Sequence, residues 1–151
     1  MGRIDHYSTE ELERHVCEVF QKLKAATSED GVYRGLSTVF HTVSAGGNDG
    51  EYCYSDQGVY RYRFLERGKI EEDRETNDIT EITYWAVDTQ VFEMSLEYEF
   101  RHRVHGQDSR RLMFSKNLEY FAELGEEYLK RAEQDIAETL EKAPYEDELY
   151  K

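Results

Sequence analysis

Leu12, Val16, Val19, Phe20 and Leu23 recur at helical spacing, the pattern that lines one face of an α-helix with apolar side chains. They predict an amphipathic helix from about Thr9 to Ala26. Ser8-Thr9-Glu10-Glu11 opens it as a capping box: the Ser8 hydroxyl can accept from the Glu11 N–H while the Glu11 carboxylate reaches back. Ser28-Glu29-Asp30-Gly31 ends it. The period then changes. Leu36 to Val43 is short and β-branched, and Ala45 to Gly50 is a turn cluster. Glu51 to Tyr54 and Val59 to Leu65 flank Ser55-Asp56-Gln57-Gly58. Alternation sets Tyr60, Tyr62 and Phe64 on one face, with Arg61 and Arg63 on the other. These runs predict a three-stranded antiparallel meander, followed by a charged, apolar-poor connection from Glu66 to Asp78.

Asn77 or Asp78 caps the next helix, with Glu81 three residues beyond Asp78. Ile79, Ile82, Trp85, Ala86, Thr89, Phe92, Leu96 and Phe100 trace its apolar face. Thr83 to Val87 also fits a strand, and periodicity alone does not separate the two. The reading adopted is a helix from Ile79 to about Val104, bent near Asp88. Gly106-Gln107-Asp108 breaks it, and Asp108 caps a helix carrying Leu112, Phe114, Leu118, Phe121 and Leu124. Gly125 interrupts. A last helix from Glu126 to Lys142 bears Leu129, Ala132, Ile136 and Leu140, and Pro144 stops it. Residues 144–151 are expected to be a frayed acidic tail. The class is therefore α+β: an N-terminal helix, the three-stranded meander, then three C-terminal helices packed on one face of the sheet.

Length changes the picture little. A chain of 151 residues is expected to form one domain, 1–151, with a real core. There is no apolar run of membrane-spanning length, and Met1 to His6 lacks the apolar stretch of a secretory signal, so no membrane span and no leader are expected. Cys17 and Cys53 lie in different elements without a metal-binding or disulfide spacing, so two buried thiols in a reducing cytoplasm are expected. Charge changes it more. The net charge is −14, which disfavours nucleic acid and anionic lipid and favours a basic protein partner, unless it serves solubility alone. Against this background Tyr98 to Phe114 holds Arg101, His102, Arg103, His105, Arg110 and Arg111, opposed only by Glu99 and Asp108. With His neutral, four arginines against two carboxylates leave +2 there, so the remainder carries −16.

Catalytic chemistry is not announced. Gly46-Gly47 lacks the lysine and hydroxyl of a phosphate loop, and no GxSxG elbow or HExxH occurs. His102 and His105 are flanked by Arg101 and Arg103, which repel a cation, so no metal and no cofactor is expected. Arg101 and His105 have three residues between them, too few for the RxxxxH arrangement of helical ribonucleases. The arginines fit a structural role, pairing with Glu97, Glu99, Glu119 or Glu123. No enzyme is inferred. Glu66, Glu71, Glu72, Asp73, Glu75 and Asp78 crowd one segment, which is either a solvated loop or a docking surface for a cationic partner. Tyr52, Tyr54, Tyr60 and Tyr62 beside it either join that surface or face inward as core.

Tyr84-Trp85, then Tyr98-Glu99-Phe100-Arg101-His102-Arg103, then Gly106-Gln107-Asp108-Ser109-Arg110-Arg111-Leu112-Met113-Phe114, resembles immunity protein family 63 of bacterial polymorphic toxin systems. The resemblance runs from about Asp78 to Glu133. It implies a cytoplasmic antidote that binds, one to one, the C-terminal domain of a contact-dependent or related toxin, often a basic nuclease. It offers no catalytic residues. Tyr84, Trp85, Tyr98, Arg101, Arg103, Gln107, Asp108, Arg110 and Arg111 are then expected to maintain the fold. The alternative is an acidic secretion chaperone that holds an extended segment of an exported protein, with Leu129, Ile136 and Leu140 lining a groove.

Overall fold

The computed structural model describes residues 6–147. Its elements are α1 (Thr9–Phe20), α2 (Lys22–Ala26), β1 (Gly50–Asp56), β2 (Val59–Glu66), β3 (Lys69–Thr76), α3 (Ile79–Arg101), α4 (Ser109–Leu124) and α5 (Glu126–Lys142). This is the expected α+β layout. The chain divides into two compact units. One holds α1, the sheet and α3 as far as Thr89; the other holds Gln21–Arg34 and the chain from Gln90 onward.

In the first unit the Ser8 hydroxyl accepts from Glu11 N at 3.2 Å, and Ser8 N donates to the Glu11 carboxylate at 2.9 Å. The capping box forms as its sequence requires. Leu12, Val16, Val19 and Phe20 are all buried along α1, whose end falls at Gln21 rather than running unbroken to Ala26. Ser55 N donates to Thr9 Oγ1 at 2.9 Å and Tyr7 N to the Tyr60 hydroxyl at 2.7 Å, tying the start of α1 to the sheet.

The sheet is an antiparallel meander in the order β1-β2-β3, but its strands differ from those expected. Leu36 to Val43 is not one of them: only Val39 makes an isolated bridge, to Tyr52 on the outer edge of β1. That segment instead lies against the sheet, with the Val43 carbonyl accepting from Arg63 at 2.7 Å, and in the turn cluster after it the Asn48 carbonyl accepts from the Tyr52 hydroxyl at 2.7 Å. The third strand is Lys69–Thr76, where the sequence reading placed a connection. Both hairpins use two-residue turns with positive φ: Gln57 (47°) with Gly58 (91°), and Arg67 (54°) with Gly68 (75°). Turns of that hand match the natural twist of paired strands.

Asp78 caps α3, accepting from Thr80 N at 2.8 Å, and the segment Ile82–Val87 is helical. Tyr60 and Tyr62 are 2% and 3% exposed, and Tyr62 meets Trp85 of α3 edge to face at 6.3 Å. Tyr52 and Tyr54, on the opposite face beside Arg63 and Arg61, are each 4% exposed. Cys53 is buried and burial, followed by the Glu51 charge, pushes its thiol far up. Cys17, expected to be buried, is exposed because it falls beside the apolar stripe of α1 rather than on it.

In the second unit Leu23 is fully buried, and Lys22 Nζ donates to the Leu124 carbonyl at 3.2 Å. Met113, Asn117, Tyr120, Phe121 and Leu124 form the buried side of α4. Of its expected apolar set, Leu112, Phe114 and Leu118 are only half-buried. Gly125, at φ 152°, separates α4 from α5. Tyr128 and Ala132 are buried on α5, with Leu129, Ile136 and Leu140 half-buried.

Of the expected face of α3, Ile82, Trp85 and Ala86 are buried, but beyond Thr89 the buried side departs from it: Val91, Met94 and Ser95 are buried, whereas Phe92, Leu96 and Phe100 are exposed. The helix is apolar on more than one side, and its polar positions go inside because they bond locally. Thr83 Oγ1 donates to the Ile79 carbonyl at 2.7 Å and Ser95 Oγ to the Val91 carbonyl at 2.9 Å. A hydroxyl satisfied by its own helix can be buried at little cost.

Candidate functional site

Two surfaces can meet a partner, one in each unit. The first is β3. It lies at an edge of the sheet, so one side of its backbone is not paired within the sheet. The pairing with β2 skips from Phe64–Glu72 to Leu65–Ile70, leaving Glu71 as the extra residue of a β-bulge. Glu66, Glu71, Glu72, Asp73, Glu75 and Asp78 are all exposed. They are not equivalent. Asp73 is held by Arg61 at 3.0 Å and Arg63 at 3.3 Å, and Glu75 lies 3.4 Å from Arg61. Burial opposes the charge of Asp73, yet the Arg63 and Arg61 guanidiniums hold its carboxyl below the usual range. Glu72 lies 3.5 Å from Arg74, and Asp78 is committed to capping α3. Glu66 and Glu71 have no ion partner among the described residues.

The four tyrosines do not join this surface. Tyr52, Tyr54, Tyr60 and Tyr62 are core, which leaves the carboxylates as its contact groups. Their alternation is real, but the segment before β1 covers the Tyr52 side and α1 and α3 cover the other. Behind the strand, the Arg74 guanidinium lies 4.5 Å from the Tyr62 ring and 4.6 Å from the Trp85 ring. The Tyr62 hydroxyl donates to the buried Glu51 carboxylate, which also accepts from Thr89 Oγ1 at 3.0 Å. Burial first, and then this bond, push the Tyr62 hydroxyl far above the ordinary phenol range.

The second surface is the arginine-rich stretch and the helix before it. The arginines are paired within the chain. Arg101 pairs with Glu97, which Arg34 also reaches, and donates to the Gly31 carbonyl at 3.1 Å. Arg103 grips the buried Glu99 through two bonds of 3.0 and 2.9 Å. Arg110 bonds Asp108 and the carbonyls of Ala143 and Pro144, both at 2.7 Å, while Arg111 meets Asp147 at 2.9 Å. Asp108 caps α4 through Arg110 N at 3.0 Å and accepts from Glu146 N at 2.9 Å. Arg110's guanidinium foremost, and then these backbone donors, hold the Asp108 carboxyl well below the usual carboxylate range.

The segment expected to fray is therefore fastened where it is described: residues 144–147 close on the start of α4, while 148–151 lie outside the described residues. Tyr98 stacks on His102 at 4.1 Å beneath Lys116 Nζ at 4.0 Å. Gln107 is half-buried in the turn before α4, and Tyr84 and Trp85 are buried. What the sequence reading missed is the apolar surface beside the arginines. Leu96 and Phe100 line an open groove of about 600 Å³ walled by Arg34, Glu93, Glu97, Glu99, Arg101 and Arg103.

Among the described residues no group of three or more His, Cys, Asp or Glu is placed to hold a metal ion. No helix among them is long and apolar enough to cross a membrane. No curated protein and no solved structure compared with the chain matches it. One family model does, over residues 56–138, more than half of the chain. It spans β2, β3, α3, α4 and most of α5, and thus the carboxylate-bearing edge, the Arg103–Glu99 grip and the Asp108 cap. The family is described as immunity protein 63, and this chain belongs to it.

Proposed function

We propose that the chain neutralises a cognate toxin by binding it, as an antidote in the cytoplasm of a toxin-producing cell with a polymorphic, contact-dependent type of system. One toxin domain binds each chain, and that domain is a basic one of nuclease type. The observation that carries the chemical part of this reading is β3: an edge strand bearing Glu71, Glu72, Asp73 and Glu75, all exposed, on a chain of net charge −14. A nuclease domain is cationic where it grips phosphates, so an anionic edge is attracted to the region that must be blocked. The antidote needs no chemistry of its own for this, only complementary charge and shape.

The test is co-expression with the C-terminal toxin domain encoded at the same locus, followed by purification of the pair. The expected result is restored growth and an equimolar complex. Continued killing with every toxin domain from that locus would overturn the reading. A toxin domain that proves acidic would overturn its nuclease part alone.

A further inference from the structure

Phe92, Leu96, Phe100 and Val104 are 40%, 43%, 74% and 48% exposed. Each is four residues from the next, so along α3 the first three form one continuous stripe, and Val104 follows just beyond the helix end. Apolar surface of this kind, rimmed by polar groups, marks an interaction site. The rim is sided. Glu93, with no ion partner among the described residues, lies toward the start of the stripe. Toward its end stand Arg34, Arg101 and Arg103 against Glu97 and Glu99, one positive charge in surplus.

The spacing of the stripe reads the same in both directions. Reversal about the midpoint between Leu96 and Phe100 exchanges Leu96 with Phe100 and Phe92 with Val104. The same reversal brings Glu93 opposite Arg103. An antiparallel second copy therefore offers apolar groups to apolar groups and an unpaired carboxylate to the end with surplus positive charge. Such self-complementarity is what a two-fold interface requires. A partner of uniform charge satisfies only one end.

We propose that the α3 stripe is a two-fold interface at which two copies of this chain pair antiparallel, Leu96 against Phe100 of the other copy. The interface is independent of which toxin is bound, and its failure would leave the toxin-binding reading intact because the two are measured in separate assays. It is tested by sedimentation of the full chain from low micromolar to several hundred micromolar. The mass should rise from 17.9 kDa toward twice that value. Leu96→Glu and Phe100→Asp should each weaken pairing by at least about tenfold, and Glu93→Arg by severalfold. Circular dichroism should show all three variants folded, since the replaced side chains are exposed.

Orientation is read by cysteine pairing in a Cys17→Ser background, which removes the exposed native thiol. A mixture of Leu96→Cys and Phe100→Cys chains should oxidise to a mixed dimer faster than Leu96→Cys alone. A monomer at every concentration, or pairing indifferent to Leu96→Glu and Phe100→Asp, overturns the proposal. Faster joining of Leu96→Cys to itself overturns the antiparallel arrangement.

Discussion

Asp108 joins several tasks in one carboxylate. It caps α4, grips Arg110 and accepts from Glu146 N, and it is 1% exposed. Its folded-state pKa lies below the ordinary aspartate value of 3.8. The stability it contributes is thus fully present above that value and is lost as the pH falls through the lower, folded one. Asp108→Asn should cost on the order of 2 kcal/mol at neutral pH, through the lost charge in the cap and the Arg110 pair. Thermal unfolding of both proteins between neutral pH and pH 2 checks it. The gap should begin to narrow below about pH 4, where Asp108 of the unfolded chain takes up a proton while the folded one stays ionised, and a gap that stays constant would show that charge is not the cause. Glu51 and Tyr62 offer a contrast, because there a buried carboxylate accepts from the hydroxyls of Tyr62 and Thr89. Tyr62→Phe removes one donor from Glu51 and should destabilise by about 1–3 kcal/mol in urea titration. An unchanged midpoint would mean that Glu51 finds another donor.

Elements were legible in the sequence where local chemistry and burial agree. The capping box at Ser8, the Asp78 and Asp108 caps, and the glycine between α4 and α5 all stand where their residue types put them. β3 was not legible, because alternation reveals a strand only when one face is apolar. Lys69–Thr76 is polar on both faces and gains its register from Arg61–Glu75 and Arg63–Asp73 across the sheet. The exposed carboxylates were found, but the tyrosines beside them were core, and the α3 stripe was read rightly at Ile82, Trp85 and Ala86 and assigned to the wrong side from Phe92 on. There the helix was identified correctly, yet two apolar stripes compete and buried hydroxyls disguise the inner one. The one signal for β3 was Arg67-Gly68, both in left-handed conformation. A Cβ on Gly68 would make only ordinary contact, 3.7 Å from Gly46 Cα, so Gly68→Ala should register conformational strain alone. A loss of about 1 kcal/mol is expected, and Arg67→Gly should stabilise slightly. Equilibrium denaturation distinguishes them; equal stability of both variants would argue against this turn.

At the scale of the whole molecule the charge separates into internal and outward parts. The arginine-rich stretch that breaks the acidity is largely paired, with Glu97, Glu99, Asp108 and Asp147, and with Arg34 it leaves one positive charge in surplus beside the α3 stripe. On β3 the charge that faces outward is acidic, and it divides further. Asp73 holds two arginines and belongs to the sheet, whereas Glu66 and Glu71 have no such duty. Long-range attraction acts on the rate of encounter and is screened by salt within about 10 Å at 0.1 M. Reversing Glu66, Glu71 and Glu75 to lysine should therefore slow association with a basic toxin by on the order of tenfold at low salt. The effect should shrink as salt rises, while the unfolding temperature moves by only a few degrees, since the one ion pair lost, Glu75 to Arg61, is exposed. Asp73→Lys should do the opposite, lowering the unfolding temperature because it sets a third cation between Arg61 and Arg63. Stopped-flow association at several salt concentrations, set beside thermal melts, separates steering from structure. A triple variant that binds at the wild-type rate would move the toxin contact away from β3.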